Sequence, residues 1–207
     1  MVNMRYDPDK HHRHSIRLKA YDYGQTGAYF VTIVTQARAC LLGQVVDAKM
    51  QLNVPGQMVE TVWTELLVFY PGVDIDGFAV MPNHIHGIIV LVGAAPRGRP
   101  GLGSDALPDL GWVGAPPCGC PGPAPTALSL PDVVHRFKTM TTKRYVDGVN
   151  HSGWPPFYVR LWQHNYFEHI IRNETSLARI REYIANNPLQ WELDPENPSK
   201  SGTSTPL

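Results

Sequence analysis

The sequence has no net charge: 18 Lys and Arg are balanced by 18 Asp and Glu over 207 residues. That balance excludes a chain that coats nucleic acid by bulk positive charge and leaves phosphate contact to local patches. Cysteine is scarce, with Cys40, Cys118 and Cys120 alone. An odd count without a CxxC pair argues against a cysteine-built disulfide or zinc framework and fits ordinary thiols in a reducing compartment. No apolar run approaches the ~18 residues of a membrane span, and the opening MVNMRYDPDKHHRH has no apolar signal-peptide core. The expectation is a soluble, cytoplasmic protein with no membrane partner. No GxxxxGK[ST] phosphate loop is present either, so nothing points to nucleotide-driven chemistry.

Charge is present locally. Residues 1–20 carry Arg5, Lys10, Arg13, Arg17 and Lys19 against Asp7 and Asp9, and residues 131–182 carry eight Lys or Arg against five Asp or Glu. Either patch suits phosphate, with Arg13, Arg17, Arg136 and Lys143 as candidate DNA contacts, and either also reads as solvated surface. The HHRH cluster of the N-terminal arm fits an unstructured basic arm better than a metal site.

Along the chain, 28–35 (AYFVTIVT) is β-branched and aromatic, as a strand requires. Residues 41–46 and 49–52 form a short hairpin around Asp47-Ala48. Between 54 and 69, Met58, Val59, Val62, Trp63, Leu66 and Leu67 recur at helical spacing. Residues 73–80 and 84–92 are strands joined at Pro82-Asn83. Sixteen of the thirty-five residues in 93–127 are Gly or Pro, which interrupts helix and ladder alike and marks a flexible insertion within a single domain of residues 1–195. Ser129 then caps a second long helix, 161–171 is strand-like or irregular, and Asn173 caps a final helix that Pro188 ends. Residues 196–207 read as a disordered tail. This order predicts an α+β fold, a ferredoxin-like (RRM-like) antiparallel sheet with helices on one face.

Two features ask for chemistry. In MPNHIHGIIVLV, His84 and His86 lie two apart on a strand and project from one face, where two imidazoles either clamp a metal or stand solvated. On the final helix, Tyr183 and Asn187 lie one turn apart, about 40° around the axis, along one edge of a Leu177–Ile180–Ile184 stripe. By itself that tyrosine reads as a rim anchor and that asparagine as a C-cap.

The motifs MPNHIHGIIV, FKTMTTKRY, LWQHNYFEHIIRNE and IREYIANNPLQW together resemble the REP-associated tyrosine transposases, single-tyrosine members of the HUH endonuclease superfamily. The resemblance spans roughly 21–92 and 129–195. It implies that His84 and His86 bind metal, that Asn187 completes the metal site, and that Tyr183 is the nucleophile. It further implies Mg²⁺ or Mn²⁺ as cofactor, single-stranded DNA folded into palindromic hairpins as substrate, a 5′-phosphotyrosine intermediate, and a monomer or a homodimer working near the nucleoid. Two imidazoles and one amide oxygen leave coordination positions open for a phosphate, in keeping with a hard divalent ion. Tyr166, in LWQHNYFEHIIR, is the rival nucleophile. Two other readings remain: a catalytically silent nucleic-acid-binding protein of this fold, and a zinc hydrolase that uses the HxH pair.

Overall fold

The computed structural model describes residues 22–92 and 128–200. Arg13, Arg17, the HHRH cluster, the Gly/Pro-rich segment 93–127 and the last seven residues lie outside the described residues. A four-stranded antiparallel sheet forms from β1 (Gly27–Val34), β4 (Val73–Val80), β5 (His84–Leu91) and β6 (Phe167–Ile171) in the order β4-β5-β1-β6. The hairpin of β2 (Gly43–Val46) and β3 (Lys49–Leu52) stands apart as its own two-stranded sheet. Asp47 and Ala48 at its turn both have positive φ, at 50° and 58°, which suits the turn of a tight two-residue hairpin.

The helices are α1 (Val54–Phe69), α2 (Leu130–Ser152) and α3 (Glu174–Asn186). Each begins where a short polar side chain satisfies an exposed N–H group. Asn53 Oδ1 accepts from the Gly56 amide at 2.9 Å, Asp132 accepts from the Ser129 amide at 3.1 Å, and Asn173 Oδ1 accepts from the Ser176 amide at 2.8 Å. Gly153, at φ 68°, ends α2 in the left-handed conformation that glycine adopts without a Cβ penalty.

The strand period of two sorts β5 into two faces. Ile85, Ile89 and Leu91 join the main core with Val59, Val62, Trp63 and Leu66 of α1 and Val133, Val134 and Phe137 of α2. The other face carries His84, His86 and Ile88. There Ile88, Phe30 and Ile184 form a second, smaller core, packed on by Leu177 and Ile180 of α3. So α1 and α2 cover one face as expected, while α3 covers the opposite one, over the histidines. Its apolar stripe is the reason: Leu177, Ile180 and Ile184 need an apolar surface, and the α1–α2 face is already filled. Arg181 of α3 fastens the helix to β4 through Asp76, with Nη2–Oδ2 at 2.6 Å and Nε–Oδ1 at 3.1 Å. That guanidinium holds the Asp76 carboxyl below its ordinary range; as a largely exposed pair it adds at most about 1 kcal/mol and mainly fixes orientation.

Residues 196–200, expected to begin a disordered tail, continue the fold. Glu196 pairs with Arg38 at 2.8 Å, Asn197 is buried, and Pro198–Lys200 forms a 3₁₀ turn.

Gly87, between the histidine pair and Ile88, faces α1, and a Cβ there would collide with the Trp63 indole. Trp63 uses the vacancy to lie flat, stacked on Phe78 with ring centroids 4.6 Å apart. Gly87→Ala should therefore lower stability by about 1–3 kcal/mol. Thermal melts would read the effect, and an unchanged melting temperature would refute the close packing.

Candidate functional site

His84 and His86 sit at the start of β5, opposite Val34 and Thr32 of β1. Both are buried, at 0% and 3% exposure, and their Nε2 atoms face each other at 3.0 Å. The solvated alternative for this pair is thereby removed. Asn83 Nδ2 donates to the carbonyls of Arg38, at 3.0 Å, and Glu196, at 2.7 Å. That arrangement orients its Oδ1 to accept from His84 Nδ1 at 2.8 Å. With Nδ1 protonated, a neutral His84 presents a lone pair at Nε2. His86 Nδ1 is 2.9 Å from the Thr32 hydroxyl, which allows the same tautomer. Such outer partners orient a metal-binding imidazole and raise its basicity.

Burial lowers both imidazoles from 6.5 to about 3, with the neighbouring ring adding to the effect at His86. Both rings are neutral at physiological pH, the form a metal ligand needs. The consequence for stability has a definite sign. Between pH 6.5 and about 3 the unfolded chain binds protons that the folded chain refuses, so stability falls as pH falls through that window. For chelator-treated protein the loss should reach about 1.4 kcal/mol per pH unit per histidine at its steepest. Urea midpoints from pH 7.5 to 5 would show it, and a flat profile would contradict neutral, buried rings.

Asp194 completes the cluster, and nothing in the sequence marked it. It follows a 3₁₀ turn, Asn187–Leu193, that carries the chain back over the histidines, with the Trp191 ring 6.1 Å from that of His84. Its Oδ2 lies 3.6 Å from His84 Nε2, and its Oδ1 accepts from the Glu196 amide at 2.7 Å. The candidate ligand atoms of His84, His86 and Asp194 all fall within 4.8 Å of one another. Among the described residues Asp194 pairs with no Lys or Arg, so a buried carboxylate faces two neutral rings, an arrangement a cation would balance.

Tyr183 and Asn187 reach this place from α3 and the turn after it. The Tyr183 hydroxyl is 3.5 Å from His86 Nε2, and its ring packs edge-on to Phe30 and His86 at centroid distances of 6.0 and 5.2 Å. The residue is 42% exposed, open to a ligand from solvent. Burial and the Asp194 carboxylate raise the phenol's pKa, partly opposed by a hydrogen bond from Asn187. Asn187 is 2% exposed, and its Oδ1 is buried without a hydrogen-bond partner. A buried amide oxygen left unpaired is costly, and this one belongs to the residue four after Tyr183, whose hydroxyl approaches His86. The donor set, nitrogen and oxygen with no sulfur, fits a divalent cation.

The other sequence candidates lie elsewhere. Tyr166 packs against the α1–α2 core under the Lys138 ammonium, 5.4 Å from its ring centroid, on the sheet face opposite the histidines. Arg136 lies over the Tyr70 ring at 4.8 Å, and Lys143 lines a cleft beyond α2. In the sequence Asn83 is a corner residue beside Pro82, and neither Thr32 nor Asp194 carries a local signal. Asn83, beside the HxH pair, was recoverable from its position; the other two meet the histidines only through β1 register and chain return.

No protein-family model matches the chain. A Haemophilus influenzae protein described only as uncharacterized is 37% identical over 200 residues, covering 93% of this chain and 97% of that one. The solved structure of a REP-associated tyrosine transposase bound to a REP hairpin is similar over 85% of this chain and 74% of its own, with a TM-score of 0.50 and 17% identity. The chain belongs to one family with the Haemophilus protein, and its fold is that of the REP-associated tyrosine transposases, the HUH transposase fold.

Proposed function

We propose that the chain is a divalent-metal-dependent endonuclease and transesterase that cleaves and rejoins single-stranded DNA beside palindromic hairpins. The observation that carries this reading is one small cluster: a phenol within 3.5 Å of a metal-type imidazole pair, with a buried, unpaired amide oxygen on the same side of the sheet. His84, His86, Asp194 and Asn187 are the residues that would hold Mg²⁺ or Mn²⁺. A bound ion there supplies Lewis-acid polarisation of the scissile phosphate and offsets charge on its oxygens.

In this reading Tyr183 Oη attacks phosphorus, the P–O3′ bond breaks, and the phenolic proton ends on the departing 3′-oxygen. A 5′-phosphotyrosine and a free 3′-hydroxyl result. Rejoining is the reverse attack by a 3′-hydroxyl, so no nucleotide is consumed. Phe30 holds the Tyr183 ring from one side, and the Arg181–Asp76 pair holds α3 at its distance from β5. In-line attack depends on that placement, because the elevated phenol pKa leaves little phenolate at neutral pH.

The test is incubation with Mn²⁺ and single-stranded hairpin oligonucleotides taken from beside the gene. A protein–DNA adduct on a denaturing gel is expected. Tight binding without an adduct would leave a silent DNA-binding protein. One further reading has its own support, since two imidazoles and a carboxylate are also a catalytic zinc donor set. A zinc hydrolase would retain Zn²⁺ on purification and release cleaved product with no covalent DNA.

Removing the outer support gives a graded result. Asn83→Ala should weaken Mn²⁺ binding by about 10–100-fold while leaving every ligand in place. Titration followed by Mn²⁺ electron spin resonance would measure it, and unchanged affinity would mean that His84 needs no help to present Nε2.

A further inference from the structure

A concavity of about 930 Å³ lies away from the histidines, between α2 and the segment 157–166. His135, Lys138 and Lys143 line it from the helix, and Arg160, Trp162 and His164 from the segment; no Asp or Glu lines it. Lys138 is committed to structure, its ammonium donating to the carbonyls of Gln163, His164 and Asn165 at 2.9–3.2 Å and so stapling the far wall to α2. Lys143 and Arg160 are exposed and enter no ion pair among the described residues. Two free cations in a hollow without carboxylates attract an anion.

The segment's backbone is shaped around that hollow. Val159 has φ 62°, a conformation β-branched residues avoid, closed by an Arg160 amide to Tyr158 carbonyl bond of 2.7 Å. Arg160 lines the cleft after this strained turn, and Tyr158, two residues before it in the chain, is 87% exposed. Charge in a groove, with an exposed aromatic in the segment that walls it, is the combination that holds single strands through backbone and base.

The wall of the cleft is joined to the strands that carry the site. Gln163 bonds to Val34, the residue opposite His84, and the far wall runs through Tyr166 into β6. Phe167, the first residue of β6, stands edge-on to Phe30 at 6.3 Å, and Phe30 touches both His86 and Tyr183. We propose that this cleft binds an unpaired stretch of the DNA substrate, with Lys143 and Arg160 on its phosphates, so that the strand passes over the β6 edge toward Tyr183. This assignment rests on the reading of the chain as one that acts on single-stranded DNA.

The experiment is fluorescence anisotropy with Tyr183→Phe protein, which binds without turnover, on a hairpin with and without a single-stranded flank. The flank should add at least tenfold in affinity. Lys143→Glu with Arg160→Glu should remove that gain, leave the flankless hairpin unaffected, and reduce the salt slope by about 1.4, the value for two phosphate contacts to a single strand. The neutral pair Lys143→Gln with Arg160→Gln should give the same loss in weaker form, and circular dichroism melts establish that both variants fold. Retention of the flank effect in the charge-reversed protein overturns the cleft assignment. So does equal competition by a free mononucleotide, which would make the cleft a nucleotide pocket. Wild-type protein run in parallel for adduct formation separates the two proposals: adduct with an unaffected flank response defeats the cleft alone, whereas no binding and no adduct defeats both.

Discussion

Tyr183→Phe is expected to abolish the covalent protein–DNA adduct and lower cleavage by about 10³-fold or more, while hairpin affinity and the melting temperature stay close to wild type. The variant removes one oxygen from a ring that is 42% exposed, and that oxygen's 3.5 Å approach to His86 is too long to add much to folding. Its packing against Phe30 and His86 is a property of the ring and survives. Tyr166→Phe is the control, because its ring lies in the other core beneath Lys138. An adduct that persists in Tyr183→Phe and disappears in Tyr166→Phe would keep the reaction class and overturn the site. Loss in both would mean that Tyr166 supports the sheet on which the site is built.

The second large effect is expected at Asp194. Asp194→Asn should weaken Mn²⁺ binding by about 100-fold, the upper end of what an outer-shell partner alone costs, and abolish the rise in melting temperature that saturating Mn²⁺ produces. A ligand at 100 times its dissociation constant stabilises the folded state by about 2.7 kcal/mol, so the loss is measurable by thermal melts. The substitution has an opposite effect on the nucleophile. The Asp194 carboxylate raises the pKa of Tyr183, so without metal the phenol of Asp194→Asn should ionise at lower pH, seen by ultraviolet difference titration. Weaker metal binding together with a more acidic phenol would identify Asp194 as both ligand and charge neighbour. Unchanged Mn²⁺ affinity would restrict the ligands to His84, His86 and Asn187.

The two predictions divide along what could be read from the chain alone. His84 and His86 were legible because strand periodicity puts residues two apart on one face, and Tyr183 and Asn187 because helical periodicity puts residues four apart on one edge. Both rules are local and hold wherever the elements form. The boundaries of α1, β4 and β5 followed from the same periodicities, with Pro, Gly and Asn marking their ends. The insertion at 93–127 was marked by composition, and its structure falls outside the described residues. Asp194 was not legible. It sits in LDPENP with no period and no partner in sequence, in a stretch whose continuation read as a disordered tail.

Sequence by itself therefore determined the α+β order, the two histidines on one strand face, and the tyrosine–asparagine pair on one helix edge. Only the tertiary structure decided that these two pairs meet. α3 packs on the sheet face opposite α1 and α2 because Ile184 with Leu177 and Ile180 had only Phe30 and Ile88 left to cover, and that choice brings Tyr183 to His86. The tertiary structure also decided what orients the site. Asn83 bonds to the carbonyls of Arg38 and Glu196, 45 and 113 residues away along the chain, and by doing so directs a lone pair of His84 toward Asp194. Hydrogen bonds between segments so far apart follow from register and chain return, and no local pattern of residues encodes them.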